Sequence, residues 1–153
     1  MGISLDEDDL WQYVEEAHTG IVTTLTKDGW PVTLPTWFVV RDRRIWFRTP
    51  AKAKKVHRIV HDRRGSFLVE SGDAWTELKA VHLRVELEVV HDPDALEAVA
   101  AALDAKYARF RAPASRLPDA TKAHYRNEVV VRATPVGSPI SWDNSRIRLR
   151  TAP

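Results

Sequence analysis

The spacing of hydrophobic positions changes character along the chain, and each change marks an element. Leu10, Tyr13, Val14 and Ala17 recur at helical spacing behind Asp6, Glu7, Asp8 and Asp9. This predicts a helix over Leu5–Ala17 whose acids suit the positive end of its dipole. From Gly20 the period becomes that of a strand. Ile21–Thr26 is rich in β-branched residues, Lys27-Asp28-Gly29 is a turn signal, and Trp30–Val40 resumes as strand, which reads as a hairpin. A second turn at Arg41–Arg44 leads to a third strand, Ile45–Thr49. The three strands are expected as a meander, with Pro31 and Pro35 making part of the second an edge or a bulge.

Beyond Pro50, Ala53, Val56, Ile59 and Val60 share one face, with Lys52, Lys55, Arg58 and His61 elsewhere, predicting a short basic helix over Ala51–His61. Strand Gly65–Ser71 and a Gly72-Asp73 turn follow. Across Thr76–Val90, Val81, Leu83, Val85, Leu87 and Val89 alternate with His82, Arg84, Glu86 and Glu88, so one face is wet and the other buried. Asp92-Pro93-Asp94 opens a helix over Ala95–Phe110. Pro113 and Pro118 make Arg111–Ala123 a loop with a short helical turn, and strands Asn127–Thr134 and Ser138–Leu149 close the pattern. The expectation is an α+β, mainly β fold: a six- to seven-stranded antiparallel barrel with flanking helices.

At 153 residues the chain is expected to form a single domain, residues 1–153. It has no cysteine, which excludes disulfides, thiolate metal sites and a cysteine nucleophile, and fits the reducing cytoplasm. The acidic start does not read as a secretory leader, and no apolar run approaches the ~20 residues that span a bilayer. Net charge is +2, but Arg41–Arg64 holds ten Lys/Arg against two acids, a local balance of +8 that leaves −6 elsewhere. Charge of that density usually meets a phosphate or another polyanion.

The most informative stretch is Arg48-Thr49-Pro50-Ala51-Lys52-Ala53-Lys54-Lys55-Val56-His57-Arg58. A strand end followed by a basic helix start gathers side-chain charge, a hydroxyl and free backbone N–H groups, which suits a phosphate monoester. The plainer reading is a solvated helix face. Thr33-Leu34-Pro35-Thr36-Trp37 lies beside it. Its proline frees neighbouring backbone groups for a flat heteroaromatic partner, or simply marks an edge strand.

The order Gly20–Thr26, Asp28-Gly29-Trp30-Pro31, Leu34-Pro35-Thr36-Trp37-Phe38, Ile45-Trp46-Phe47-Arg48-Thr49, Lys52–Arg58 and Asp62-Arg63-Arg64 is distinctive. Continued through Glu70, Thr76–Val81, Asp92-Pro93 and Ile140-Ser141-Trp142-Asp143, it resembles the pyridoxamine 5′-phosphate oxidase-like split β-barrel family. The branch it is most similar to is the flavin- and deazaflavin-dependent oxidoreductases. The resemblance implies an FMN-binding split barrel and a homodimer with cofactor sites at the subunit interface. It also implies hydride transfer to or from a small organic substrate, with FMN or coenzyme F-420 as cofactor and no dedicated catalytic base. The phosphate would sit against Arg48, Thr49, Lys52 and Lys55, with Arg58 standing where similar chains often carry Asn. The ring would lie along Thr33, Leu34, Pro35, Thr36 and Trp37, covered by Trp75 and Trp142. Arg63 follows Asp62 in place of proline, and Arg84 occupies a strand position where glycine is frequent, placing a long side chain near the site. The added cations suit the polyanionic tail of F-420.

Other constellations are weaker. His57 and His61 stand at metal-compatible spacing, but the zincin glutamate is missing and Lys55 and Arg58 disfavour a divalent ion, so no metal is expected. His82 and His91 read as polar-face residues, although some split barrels bind haem through a histidine. No serine lies in a Gly-x-Ser-x-Gly context. The six tryptophans suit a core and a dimer interface. The alternative function within the same fold is a non-catalytic flavin or haem carrier. A nucleic-acid binder is disfavoured, because one strand-turn-helix of cations rims a pocket more readily than it makes a long track. The residues that would choose a substrate lie in Gly72–Thr76, Arg111–Lys122 and the C-terminal region.

Overall fold

A computed structural model describes residues 2–152. Helix α1 (Glu7–Glu16) starts at Asp6, whose carboxylate accepts the Asp9 N–H at 2.8 Å. The strands that follow are β1 (Gly20–Leu25), β2 (Pro31–Thr36), β3 (Val39–Arg41) and β4 (Arg44–Pro50). Helix α2 (Lys54–His61), β5 (Arg64–Ser71), β6 (Lys79–Val90) and helix α3 (Pro93–Tyr107) come next. The chain then forms α4 (Asp119–His124), β7 (Glu128–Pro135) and β8 (Ile140–Asp143).

All strand pairs are antiparallel, in the order β2-β1-β5-β6-β7-β4-β3, with β8 added to β6. The α+β antiparallel barrel expected from the pattern is therefore present, but the meander is not. The segment Trp30–Val40 divides at Trp37 and Phe38, giving eight strands among the described residues rather than six or seven. Its first part pairs with β1, from Gly20↔Thr36 to Leu25↔Pro31, and its second with β4, from Val39↔Trp46 to Arg41↔Arg44. Two residues thus join opposite ends of the sheet path, which curls the sheet into a barrel whose terminal strands do not pair. Pro31 and Pro35 lie in β2, where one flank has no strand neighbour to want their missing donors.

Other boundaries shift for local reasons. The long strand begins at Lys79, because Trp75–Glu77 forms a 3₁₀ turn. The last strand stops at Asp143, whose carboxylate accepts the Ser145 N–H and turns the chain. Helix α2 starts at Lys54 rather than Ala51. In the β3–β4 turn Asp42 and Arg43 both adopt φ 53°, a left-handed conformation that costs non-glycine residues about 1–2 kcal/mol each. Arg43 offsets this by pairing with Glu7 and Asp8 of α1.

Strand alternation sorts the core into two layers. Ile45 and Phe47 of β4 point into the barrel with Val22, Phe38, Phe67 and Leu83, where α1 adds Val14 and α2 adds Ile59. The intervening Trp46 faces outward against Val99, Leu103 and Tyr107 of α3. Each large side chain so buried contributes about 1.5–3 kcal/mol. No helix among the described residues is long and apolar enough to cross a membrane.

Candidate functional site

The alternation of β4 also decides where the basic residues go. Arg48 shares the outward face of Trp46, and its guanidinium binds Asp104 of α3 at 2.9 Å. Thr49 shares the inward parity of Phe47 and is buried. Adjacent in sequence, the two are sent to opposite sides of the sheet.

Helix α2 packs across β1 and β6, and its i, i+3 pair Lys55 and Arg58 turns toward the inward face. The Lys55 ammonium lies 5.4 Å from the Phe47 ring centroid. Arg58 Nε donates to the buried Thr24 Oγ1 at 2.7 Å. Burial holds the Lys55 ammonium below the usual lysine range, and the Arg58 charge adds to the effect. Lys52 is exposed just before the helix. The first turn of α2 contains no acid and no side-chain cap, and among the described residues none of Lys52, Lys54, Lys55 and Arg58 forms an ion pair. The opposite holds at the far end of α2, where Arg64 ties Asp62 and lowers its carboxyl to about 2.

The ring-binding candidates divide as well. Thr33, Leu34 and Pro35 are exposed on β2, and Thr33 Oγ1 lies 2.9 Å from Thr23 Oγ1. Thr36 and Trp37 instead line a cavity of about 590 Å³ with Arg48, Phe110, Arg111 and Tyr125. Trp37 stacks flat on Tyr107, centroids 4.4 Å apart. Trp75 is 60% exposed on its 3₁₀ turn, and Asn144 donates to its carbonyl at 2.7 Å. Trp142 sits half-buried on β8 opposite Ala80. The structure therefore turns Lys55 and Arg58 to the inward side that buried Thr49 also takes, and gathers Thr36, Trp37 and Arg48 around a separate cavity. Sequence reading missed Asp104 and Tyr107, which organise the second place. Their i, i+3 spacing on α3 was the available signal.

Residues 7–139 match the family model described as pyridoxamine 5′-phosphate oxidase. The chain belongs to the pyridoxamine 5′-phosphate oxidase family. Solved structures place this family member's fold among split barrels of several descriptions. A conserved hypothetical protein of Mycobacterium tuberculosis superposes with a TM-score of 0.80 at 27% identity, over 99% of this chain and 94% of that one. An FAD-binding protein of Mesorhizobium loti gives 0.68 at 17% identity, over 90% and 94%. A haem storage protein of Vibrio cholerae gives 0.70 at 12% identity, over 93% and 96%. Comparison with curated proteins finds no match. For this oxidase-family chain the fold is thereby shown, and His57 and His61 belong to no metal-binding group among the described residues.

Proposed function

We propose that this protein is a homodimeric flavin-type oxidoreductase, binding FMN or coenzyme F-420 and passing a hydride to or from a small organic substrate. The observation that carries the reading is the uncompensated pair Lys55 and Arg58. Two half-buried cations that repel one another and have no carboxylate partner are costly until an anion arrives. A phosphate at the start of α2 meets both, together with the Lys52 side chain and the backbone donors of an uncapped helix. The residues present therefore fit a phosphate-bearing cofactor. When bound, the flavin or deazaflavin ring supplies the hydride chemistry itself. The chain's part is to anchor the phosphate, to offer the exposed β2 stretch Thr33–Pro35 and the adjacent Thr36 and Trp37 to the ring, and to exclude water by pairing with a second copy. Exposed Trp30, Leu34 and Trp75, at 73%, 44% and 60%, supply apolar surface for that pairing and for covering the ring. The cytoplasm is the compartment this cysteine-free chain suits.

The likeness to a haem storage protein favours one second reading, a carrier of flavin or haem without turnover. Titration with FMN, riboflavin, F-420 and haemin, followed by tryptophan quenching, decides among these. Tight binding of FMN or F-420 with much weaker binding of riboflavin is expected, and no response to either phosphorylated cofactor at high micromolar concentration would sink the oxidoreductase reading. Reduction of a redox dye by the loaded protein separates enzyme from carrier.

A further inference from the structure

A second cavity, of about 470 Å³, lies between α1, the β3–β4 turn and the loop after β7. It is at the Arg44 end of β4, whereas α2 follows the Pro50 end. Seven residues of strand put about 20 Å between the two places. The volume is in the range of small-molecule sites, and the walls combine apolar surface with charged groups. Leu5, Leu10, Trp11, Leu83 and Pro139 supply the apolar surface.

Three arginines and two acids also line it: Arg43, Arg44 and Arg84 with Glu7 and Asp42. Arg43 is spent on Glu7 and on Asp8. Among the described residues Arg44 and Arg84 form no ion pair, so two guanidiniums face the single remaining carboxylate, Asp42. The excess is one positive charge in a hollow of mixed apolar and charged walls.

The backbone of Arg84 is tied to the loop after β7, and its exposed side chain reaches over the same loop. Its carbonyl accepts the Val136 N–H at 2.8 Å, extending the β6–β7 pairing into the loop. Its guanidinium rests against Gly137, where an added Cβ would stand 2.6 Å from Arg84 Nη2. Gly137 adopts φ +69°, the left-handed backbone that favours glycine.

We propose that this cavity is a binding site for a small organic monoanion with a flat apolar body, an aromatic carboxylate in class, held by Arg84 and Arg44 against Trp11. It is separate from the phosphate site at α2. A polyphosphate is disfavoured by the single excess charge, and a neutral ligand would leave the arginines unanswered.

The test is calorimetric titration of the whole protein with naphthalene carboxylate and with its neutral carboxamide, in the presence and absence of FMN. The carboxylate is expected to bind at least about tenfold more tightly than the amide, as charge-assisted hydrogen bonds are the strong ones. Arg84→Gln and Arg44→Gln should each erase that preference, and FMN should not compete. In isotope-labelled wild-type protein the carboxylate should shift the amide resonances of Arg84, Val136 and Gly137, a readout that does not depend on either variant folding. Equal binding of acid and amide, resonance shifts confined to α2, or displacement by FMN would each overturn the proposal. Failure of FMN to bind at all would instead strike the cofactor reading and leave this site standing.

Discussion

The Tyr107 hydroxyl accepts the Phe38 N–H at 3.0 Å while its ring lies flat against Trp37, 4.4 Å away and tilted by 3°. One residue of α3 thus grips both members of the link between β2 and β3. The hydroxyl also lies 2.9 Å from the carbonyls of Phe38 and His18, which share its proton. The place where the barrel divides is therefore not a loose crossing but a satisfied, buried one.

Tyr107→Phe keeps the ring stack and removes the acceptor. The buried Phe38 N–H is left unpaired, which should cost about 1–3 kcal/mol. For a chain of this size that lowers Tm by about 2–4 °C for each kcal/mol. Urea unfolding of the two proteins measures it, and an unchanged midpoint would show that solvent reaches the Phe38 amide.

Lys106 provides a pH signature of the same region. Its ammonium donates to the Phe38 carbonyl at 3.0 Å, yet burial brings its pKa down from 10.5 to about 8, with Glu15 opposing the shift. Between those values the folded chain has released a proton that the unfolded chain still holds. Stability contributed by this group therefore rises with pH from about 8, since the unfolded state binds more protons there. Lys106→Met should flatten the wild-type gain between pH 8 and 9.5, below the range where the raised Tyr107 hydroxyl acts in the opposite sense. Parallel unfolding curves for the two proteins across that window would refute the assignment.

At the proposed phosphate site, Lys55→Met with Arg58→Gln should weaken FMN at least about tenfold, since hydrogen bonds to charged groups contribute about 1.5–3 kcal/mol each. Riboflavin, lacking the phosphate, should bind variant and wild type alike. Equal losses for both ligands would mean that the ring site, not the phosphate site, had been damaged.

Leu34→Glu tests the pairing of two copies. Leu34 is 44% exposed on the open strand β2, so the single chain should keep its fold and its circular dichroism. Light scattering should report a dimer for the wild type and a monomer for the variant. A variant that stays dimeric would move the interface away from β2.

Much of this architecture is local and was legible in residue patterns. The 3.6-residue spacing of α1 and α3, the alternation of β6 from Val81 to Val89 and the Asp28-Gly29 turn each follow from chemistry within a few positions. The basic cluster was equally visible, because charge density requires no fold to be counted. What the local pattern could not show is which strand a given strand pairs with. Trp30–Val40 is a continuous run of strand-forming residues, and only the buried side chain of Phe38 and the grip of Tyr107, 69 residues away, force it to leave one edge of the sheet and join the other.

The site followed the same division. Residue pattern was enough to place a basic helix carrying Lys55 and Arg58 directly after a strand, since a 3.6-residue period and a proline suffice to say so, although the helix begins at Lys54 and leaves Lys52 just outside it. It took the packing of distant elements to give Arg48 to Asp104 while, among the described residues, Lys55 and Arg58 form no ion pair. That packing also decided that Arg84 meets Arg44 across a separate hollow. A side chain's partners depend on which face of the sheet it takes and what packs there, and those are settled by contacts between residues far apart along the chain.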